Sequence, residues 1–370
     1  MEITKTDIKK IKELANNPHI YNKLIKSTAP TITGYNSIKE SLILSLIMGV
    51  QKQSGEYQFN AGINLLIIGS KHSGKDFFKE FLKKFGIKNK FEIINNIREE
   101  NQEEIIVRLK NNKKSVIAFT EFKDDIPDRY NPMEDNISLP YSLLNCFDLI
   151  FPIENRDDDK LRANVADTLL NLNMSKNTNN NDIIDSTLLK KFIVYTNIAS
   201  KPKLTEESNK VIKDYFTNTD ISEYTGYFDM SYLVVESLIR LAEASAKIRL
   251  KETVDKEDAE KAVRLYTECL CEMGVIIEID ETDIYKTDID IIKSSPSTLN
   301  IRDRDVIQYI MDEIKLLEEE YVGDAPLNVL ISNLDEKYNI PEDKVKQFLK
   351  ILVKKGVIYQ PITGYYRRIL

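Results

Sequence analysis

The run Gly69-Ser-Lys-His-Ser-Gly74-Lys75-Asp76 carries residue types that could hold phosphate. A glycine-flanked turn followed by lysine lets backbone amides and an ammonium surround a polyphosphate at a helix N-terminus. The apolar run Leu65–Ile68 precedes it, and aromatics at helical spacing follow it at Phe77, Phe78, Phe81 and Phe85. That order predicts strand, loop, helix. The phosphate-loop pattern is Gly-x-x-x-x-Gly-Lys-Ser/Thr, and Asp76 stands where the hydroxyl that reaches magnesium would be. A glycine–lysine match lacking Ser/Thr also arises often by chance. Gly69, Gly74, Lys75 and Asp76 are thus candidate nucleotide-binding residues whose standing depends on the rest of the chain.

Other chemistries have little material. His19 and His72 are the two histidines of the 370 residues, and Cys146, Cys269 and Cys271 form no Cys-x-x-Cys pair. A His/Cys metal site and a catalytic triad are therefore not expected, and the cysteine usage fits a reducing cytoplasm. The formal charge of −7 excludes a uniformly basic nucleic-acid binder but not a local basic face. The first residues lack the shape of a signal peptide, and no apolar run approaches the roughly 20 residues that span a bilayer. No membrane association is expected.

Elements that could position the loop are legible. Ile8, Ile11, Leu14 and Ala15 share one helical face, and Ile38, Leu42–Leu44 and Leu46–Met48 form a second apolar helix. Strands are expected at 91–94, 116–119 and 149–153, with helix near 99–109 and a polar, proline-marked loop at 124–140. Strands alternating with helices predict an α/β fold with a mostly parallel sheet, of which four strands can be read. An Asn-rich tract, Asn171–Asp182, reads as a loop or joint. Helices follow at 188–199, after Thr205, at 231–250 and after Asp255, the two named residues acting as N-caps.

After a charged link around 294–297, the last seventy residues or so resemble a winged helix–turn–helix. Helices are expected at 306–317, 327–338 and 342–355, with Pro341 in the first turn of the third and Gly356 at its stop. Two β-prone runs, 357–359 and 365–369, suit a wing. No acidic residue follows Asp343, whereas Lys344, Lys346, Lys350, Lys354, Lys355, Arg367 and Arg368 do. These are candidate DNA-binding residues, since phosphate contact needs such a face. A solvated helix surface or a protein-binding module would look the same.

Blocks along the chain resemble, in order, the minichromosome maintenance (MCM) family of AAA+ replicative helicases. Ser27-Thr-Ala-Pro-Thr-Ile-Thr-Gly-Tyr35 with Ile38-Lys-Glu-Ser-Leu42 resembles the start of the ATPase domain. Asn136-Ile-Ser-Leu-Pro140 with Leu143-Leu-Asn-Cys-Phe-Asp-Leu-Ile-Phe151 resembles the arginine-finger region. Lys201-Pro-Lys-Leu-Thr-Glu-Glu207 and Glu236-Ser-Leu-Ile-Arg-Leu-Ala-Glu-Ala244 resemble the helical lid. The resemblance implies an AAA+ α/β core at 1–185 with a shortened sheet, a helical lid at 186–280, a linker at 281–299 and a winged helix at 300–370. It is archaeal-like, and the family's N-terminal oligonucleotide-binding region is expected to be absent.

Against the family, several chemical positions differ. Asp76 replaces the magnesium-ligating hydroxyl, and Cys146 falls where the arginine finger would be. Such an arginine is typically worth about 10³–10⁵ in rate. Leu233 falls on the second-sensor arginine. Between Phe85 and Pro140 the chain is short for a Walker-B strand ending in Asp-Glu, a helical insertion, a DNA-contacting hairpin and a strand ending in the sensor asparagine. The strand Val116–Phe119, followed by Thr120 and Glu121, could be either of the two named strands. As Walker B it keeps the catalytic carboxylate in Glu121; as sensor it replaces the asparagine, which the nearby Arg129-Tyr-Asn-Pro132 favours.

The resulting expectation is a catalytically degenerate MCM-like protein with a vestigial nucleotide loop. It would require no cofactor, bind ATP or ADP with magnesium weakly at most, and act in DNA replication by contacting a full-length MCM, another replication protein or DNA. The alternative is an active ATPase subunit that uses Lys75 and Glu121 with an arginine supplied in trans.

Overall fold

The computed structural model describes residues 3–273 and 303–368, except 31, 33, 72, 87–90, 112, 125–135, 154–182, 220–231, 322–323, 339, 355–357 and 362–363. The Asn171–Asp182 tract, the link around 294–297, Arg129-Tyr-Asn-Pro132, Gly356 and His72 of the loop lie outside the described residues. Two compact units divide the chain, 1–127 with 133–280, and 128–132 with 281–370.

The first unit opens with α1 (Lys5–Ala15), α2 (Ile20–Ser27), α3 (Asn36–Ile47) and the hairpin β1 (Lys52–Ser54) and β2 (Tyr57–Phe59). Next come β3 (Leu65–Gly69), α4 (Lys75–Phe85), β4 (Phe91–Ile94) and a 3-10 turn at Ile97–Glu99. They are followed by α5 (Gln102–Asn111), β5 (Ser115–Thr120), α6 (Tyr141–Leu144) and β6 (Leu149–Ile153). The sheet runs β4-β5-β3-β6 and every pairing is parallel. The inner strands β3 and β5 and the edge strand β6 are buried along their whole length. Continuous apolar runs of this kind are what a parallel sheet covered on both faces requires.

Strand periodicity decides which face each side chain joins. Leu66, Ile68, Val116, Ala118 and Ile150 share a core cluster with Ile105 and Leu109 of α5 and Leu143 and Leu144 of α6. Phe119, on the opposite parity, lies beneath the Lys79 ammonium of α4. Helix α3 is buried from Ile38 to Ile47 all round its circumference, so its polar residues need partners inside. Glu40 finds one in Arg264, which donates to both carboxylate oxygens at 2.7 and 2.8 Å.

The lid region follows with α7 (Ser186–Ala199), β7 (Lys203–Leu204), α8 (Glu206–Asn218), α9 (Tyr232–Ile248), β8 (Thr253–Val254) and α10 (Lys256–Glu272). Both expected N-caps are formed, each as a reciprocal box: Thr205 with Ser208 and Asp255 with Asp258.

The second unit comprises α11 (Asp303–Glu320), β9 (Ala325–Pro326), α12 (Leu327–Tyr338), α13 (Glu342–Lys354), β10 (Ile358–Tyr359) and β11 (Tyr365–Arg368). Its strands form a small antiparallel sheet in the order β10-β11-β9. Val306, Ile310, Ile314, Leu330, Leu334, Val345, Leu349 and Ile358 make a separate core. Pro341 sits one residue before α13 rather than inside it, and its carbonyl accepts from Lys344 and Val345 at 3.0 and 3.1 Å. The α/β architecture with a helical lid region is as the sequence implies.

Candidate nucleotide site

The loop leaves the carboxyl end of β3, the second strand in from the β6 edge, and turns into α4 at Gly74, whose φ is +91°. A side chain is strained at such a φ, and glycine is not. Gly69 is close-packed instead: a Cβ there would lie 2.3 Å from Ser73 Oγ, which would have to move. Gly74 offers no side-chain cap to α4, and the Phe77 amide donates to the Gly74 carbonyl at 3.1 Å. The two glycines and the open helix end thus shape a cradle for an anion.

Lys75 is the loop's cation and is 2% exposed. Its Nζ lies 2.5 Å from the Gly69 carbonyl, 3.3 Å from that of Ser70 and 3.0 Å from Glu121 Oε1. Three acceptors match the three N–H donors of an ammonium. Glu121 follows β5, whose Thr120 lies in register with Ile68 of β3, which brings the carboxylate beside the loop. The Lys75 hydrogen bond holds the Glu121 carboxyl below the usual carboxylate range; burial opposes it, and the fields of Lys75, Lys71 and Lys79 add to it.

Two features escaped the sequence reading. Arg98, in the turn after β4, donates from Nη2 to the Glu121 backbone carbonyl at 2.8 Å. Ser73 Oγ, Thr120 Oγ1 and Arg98 Nε are buried without a hydrogen-bond partner among the described residues. Unpaired buried polar atoms are uncommon, and three of the eight found among the described residues lie in this loop, at the end of β5 and past the end of β4. Only the carboxyl-end location of these residues on neighbouring strands could have pointed to them.

Asp76 is 66% exposed on its side chain, and Oδ1 lies 3.3 Å from Lys79 Nζ. A carboxylate in the first turn suits the helix dipole, which explains its tolerance. It faces outward to Lys79, so the residues fit a phosphate better than a magnesium ion. No cluster of three or more His, Cys, Asp or Glu residues that could hold a metal occurs among the described residues.

The other chemical positions are placed as follows. Cys146, just past α6, is half-buried against the sheet's core cluster and its thiol donates to the Ser142 carbonyl at 3.1 Å. Burial pushes that thiol up, and it offers no positive charge. Leu233 occupies the first turn of α9 and is 36% exposed. Two turns on, Arg240 reaches into the protein instead: Nη2 donates to Asp148 Oδ1 at 2.5 Å and Nη1 to Glu236 at 3.2 Å. Asp148 also accepts from the Asn64 amide at 2.6 Å and from the Ser237 hydroxyl. This cluster joins the lid helix to the end of the sheet.

In the second unit, α13 presents Lys346 and Lys350 as exposed residues and Lys344 as half-buried. Lys346 pairs with Glu342 one turn back at 2.5 Å. Arg367 pairs with Asp324 at 2.9 Å and Arg368 with Glu318 at 2.8 Å. Lys354 ends the helix, and Lys355 lies outside the described residues.

Comparison with known proteins fits these elements. The profile of the MCM P-loop domain matches residues 7–108, and that of the MCM AAA-lid domain matches 187–270. The chain is 27% identical over 429 aligned positions to the minichromosome maintenance protein MCM of Saccharolobus solfataricus, covering 99% of this chain and 60% of that protein. It is 31% identical over 255 positions to an MCM-type protein of Methanocaldococcus jannaschii, covering 65% of this chain and 32% of that one. With the DNA replication licensing factor mcm4-B of Xenopus laevis it shares 25% over 331 positions, covering 72% and 38%. The chain thus spans about a third to three fifths of the length of these relatives. On the matched P-loop and lid domains, and on the parallel sheet and lid helices that carry them, the chain belongs to the MCM family of AAA+ proteins.

Proposed function

We propose that the protein is an MCM-family member that does not hydrolyse ATP at a useful rate and serves DNA replication as an accessory or regulatory partner. The observation that carries this reading is the state of positions 76, 146 and 233. Asp76 faces Lys79, the Cys146 thiol faces a backbone carbonyl, and Leu233 is an exposed aliphatic side chain. None presents the hydroxyl or the cations that the family resemblance assigns there. Losses among groups that act as a unit are strongly non-additive, so several together remove turnover.

Strand placement supports the same reading. Two strands, β4 then β5, lie between residues 85 and 140, in the order in which the family has its Walker-B and sensor strands. In that order β4 takes the Walker-B place and runs into Asn95 and Asn96 instead of Asp-Glu. Asn96 is engaged locally, accepting from the Arg98 amide at 3.3 Å and donating to Glu99 at 2.6 Å. Glu121 then holds the sensor position. The alignment with the Saccharolobus protein extends over 429 positions against 370 residues here, consistent with internal shortening.

The domain division that goes with this reading is 1–185, 186–280, a linker at 281–299 and a winged helix at 300–370. Three helices with a three-stranded sheet suit that last assignment, and the Lys346 and Lys350 side of α13 is its DNA-facing surface. Partners are a full-length MCM or another replication protein. Mixing the protein with a catalytic MCM, and separately with duplex DNA, tests the role: association with one of them is expected, and association with neither contradicts it.

A second reading, a working ATPase with an arginine supplied in trans, is favoured by the Lys75–Glu121 contact alone. Phosphate release that depends on Lys75 separates the two readings.

A further inference from the structure

We infer that Glu243 and Lys247 of α9 form a latch that couples the lid to the β1–β2 hairpin, so that loosening one loosens the other. The hairpin needs an anchor of this kind. Its strands pair with each other, Lys52 opposite Phe59, and take no part in the four-stranded sheet. A two-stranded ribbon is marginally stable by itself in water. Gln53, Ser54, Gly55, Glu56 and Gln58 are exposed. At the foot of the ribbon a cavity of about 120 Å³ separates it from α9, lined in part by Val50, Phe59, Leu204 and Ile239. Apolar packing is therefore incomplete there, and polar contacts do most of the holding.

Arg240, Glu243 and Lys247 recur at helical spacing and share one stripe of α9. Arg240 takes the end of the sheet at Asp148. Glu243, whose side chain is 1% exposed, accepts from the Val50 amide at 2.7 Å and forms an ion pair with Lys52 of β1. Lys247 donates to the Gly49 carbonyl at 2.6 Å and to Asn197 of α7 at 3.4 Å. Asn197 in turn donates to the Leu46 carbonyl at 3.1 Å. At Gly49 the chain runs so close to α9 that a Cβ would lie 2.9 Å from Glu243 Oε2 and 3.0 Å from Arg240 Cα. The Gly49 amide donates to the Ala61 carbonyl at 2.8 Å, which closes the base of the hairpin. The lid thus grips residues 49–52 and, through them, the ribbon. Burial pushes the Glu243 carboxyl up, and the Lys52 contact is the main force opposing it. Loss of either partner is therefore felt by the other.

The test is amide hydrogen exchange at neutral pH, read by mass spectrometry, on the full chain and on its Glu243→Gln and Lys52→Gln variants. A coupling between two elements is reciprocal, so each variant is read on the element it does not alter. Glu243→Gln, a change in the lid, should speed exchange across 50–60 by about threefold or more. Lys52→Gln, a change at a half-buried hairpin residue, should speed exchange across 236–248 by about the same factor. Peptides from β3 and β5 should keep the parent rates in both variants, which also shows that the core remains folded. Absence of either cross-effect overturns the inference. A uniform rise across the whole chain overturns it too, because the contacts would then serve global stability alone.

Discussion

Two carboxylates, at 76 and 121, flank the phosphate-type loop in different ways. Glu121 is drawn in to Lys75 and Asp76 is turned out to Lys79. The Glu121 carboxyl is held below its ordinary value of 4.5, chiefly by the Lys75 hydrogen bond. A depressed carboxylate stabilises the fold above the unfolded value and loses that contribution as pH falls through the lowered one. Acidification through that lowered value should therefore break the Lys75–Glu121 contact. Replacing Asp76→Thr restores the motif's hydroxyl but neither Cys146 nor Leu233. Phosphate release by that variant should stay at background, and a measurable gain would show that position 76 alone limits turnover. A separate check concerns the thiols. Burial pushes Cys269 up to about 12, while Cys271 is exposed. Iodoacetamide at pH 8 should label Cys271 in the native protein and Cys269 only after unfolding, as read by mass spectrometry. Native labelling of Cys269 at a comparable rate would contradict its placement.

Helix α9 joins the lid to the sheet through Arg240 and Asp148, whose side chains are 14% and 3% exposed. Removing one member of such a pair costs up to about 3–5 kcal/mol, less where the remaining charge keeps other donors, as Asp148 keeps the Asn64 amide and the Ser237 hydroxyl. Arg240→Ala should lower unfolding stability by about 1–3 kcal/mol in urea titration, and no measurable loss would mean that those two donors alone satisfy Asp148. Elements of this kind also mark the limit of what the sequence makes legible. Strands β3 to β6, the N-caps Thr205 and Asp255 and the helices of the second unit follow from periodicity and local capping, so a single sequence displays them. Arg240 with Asp148, 92 residues apart, and Arg264 with Glu40, 224 apart, do not. Neither residue's neighbours reveal its partner, because the pairing exists only once the sheet and lid have packed. Glu121 was legible as a candidate because an apolar strand ends just before it. Arg98 was not, since it lies in a charged turn where any residue would pass as solvated.

At the scale of the whole molecule, two units carry different chemistry. The first has the loop, the sheet and the lid, and the second has the basic helix α13. Under the proposed DNA role, the exposed Lys346 and Lys350 of α13 should count for more than the half-buried Arg367 and Arg368 of β11, although Lys346, like the arginines, has an acidic partner. Lys346→Ala combined with Lys350→Ala should weaken duplex binding across sequences and reduce the slope of log affinity against log salt by about 1–2. Arg367→Ala should change that slope little. The reverse ranking would relocate the DNA surface to the strand. Hydrolysis is the sharper question, because the proposed reading rests on Asp76, Cys146 and Leu233 standing where the family resemblance implies a hydroxyl and two cations. The most direct measurement is steady-state phosphate release from ATP with magnesium by the purified chain, alongside Lys75→Ala. The account predicts the same background rate for both proteins; turnover in the parent that Lys75→Ala abolishes would contradict it.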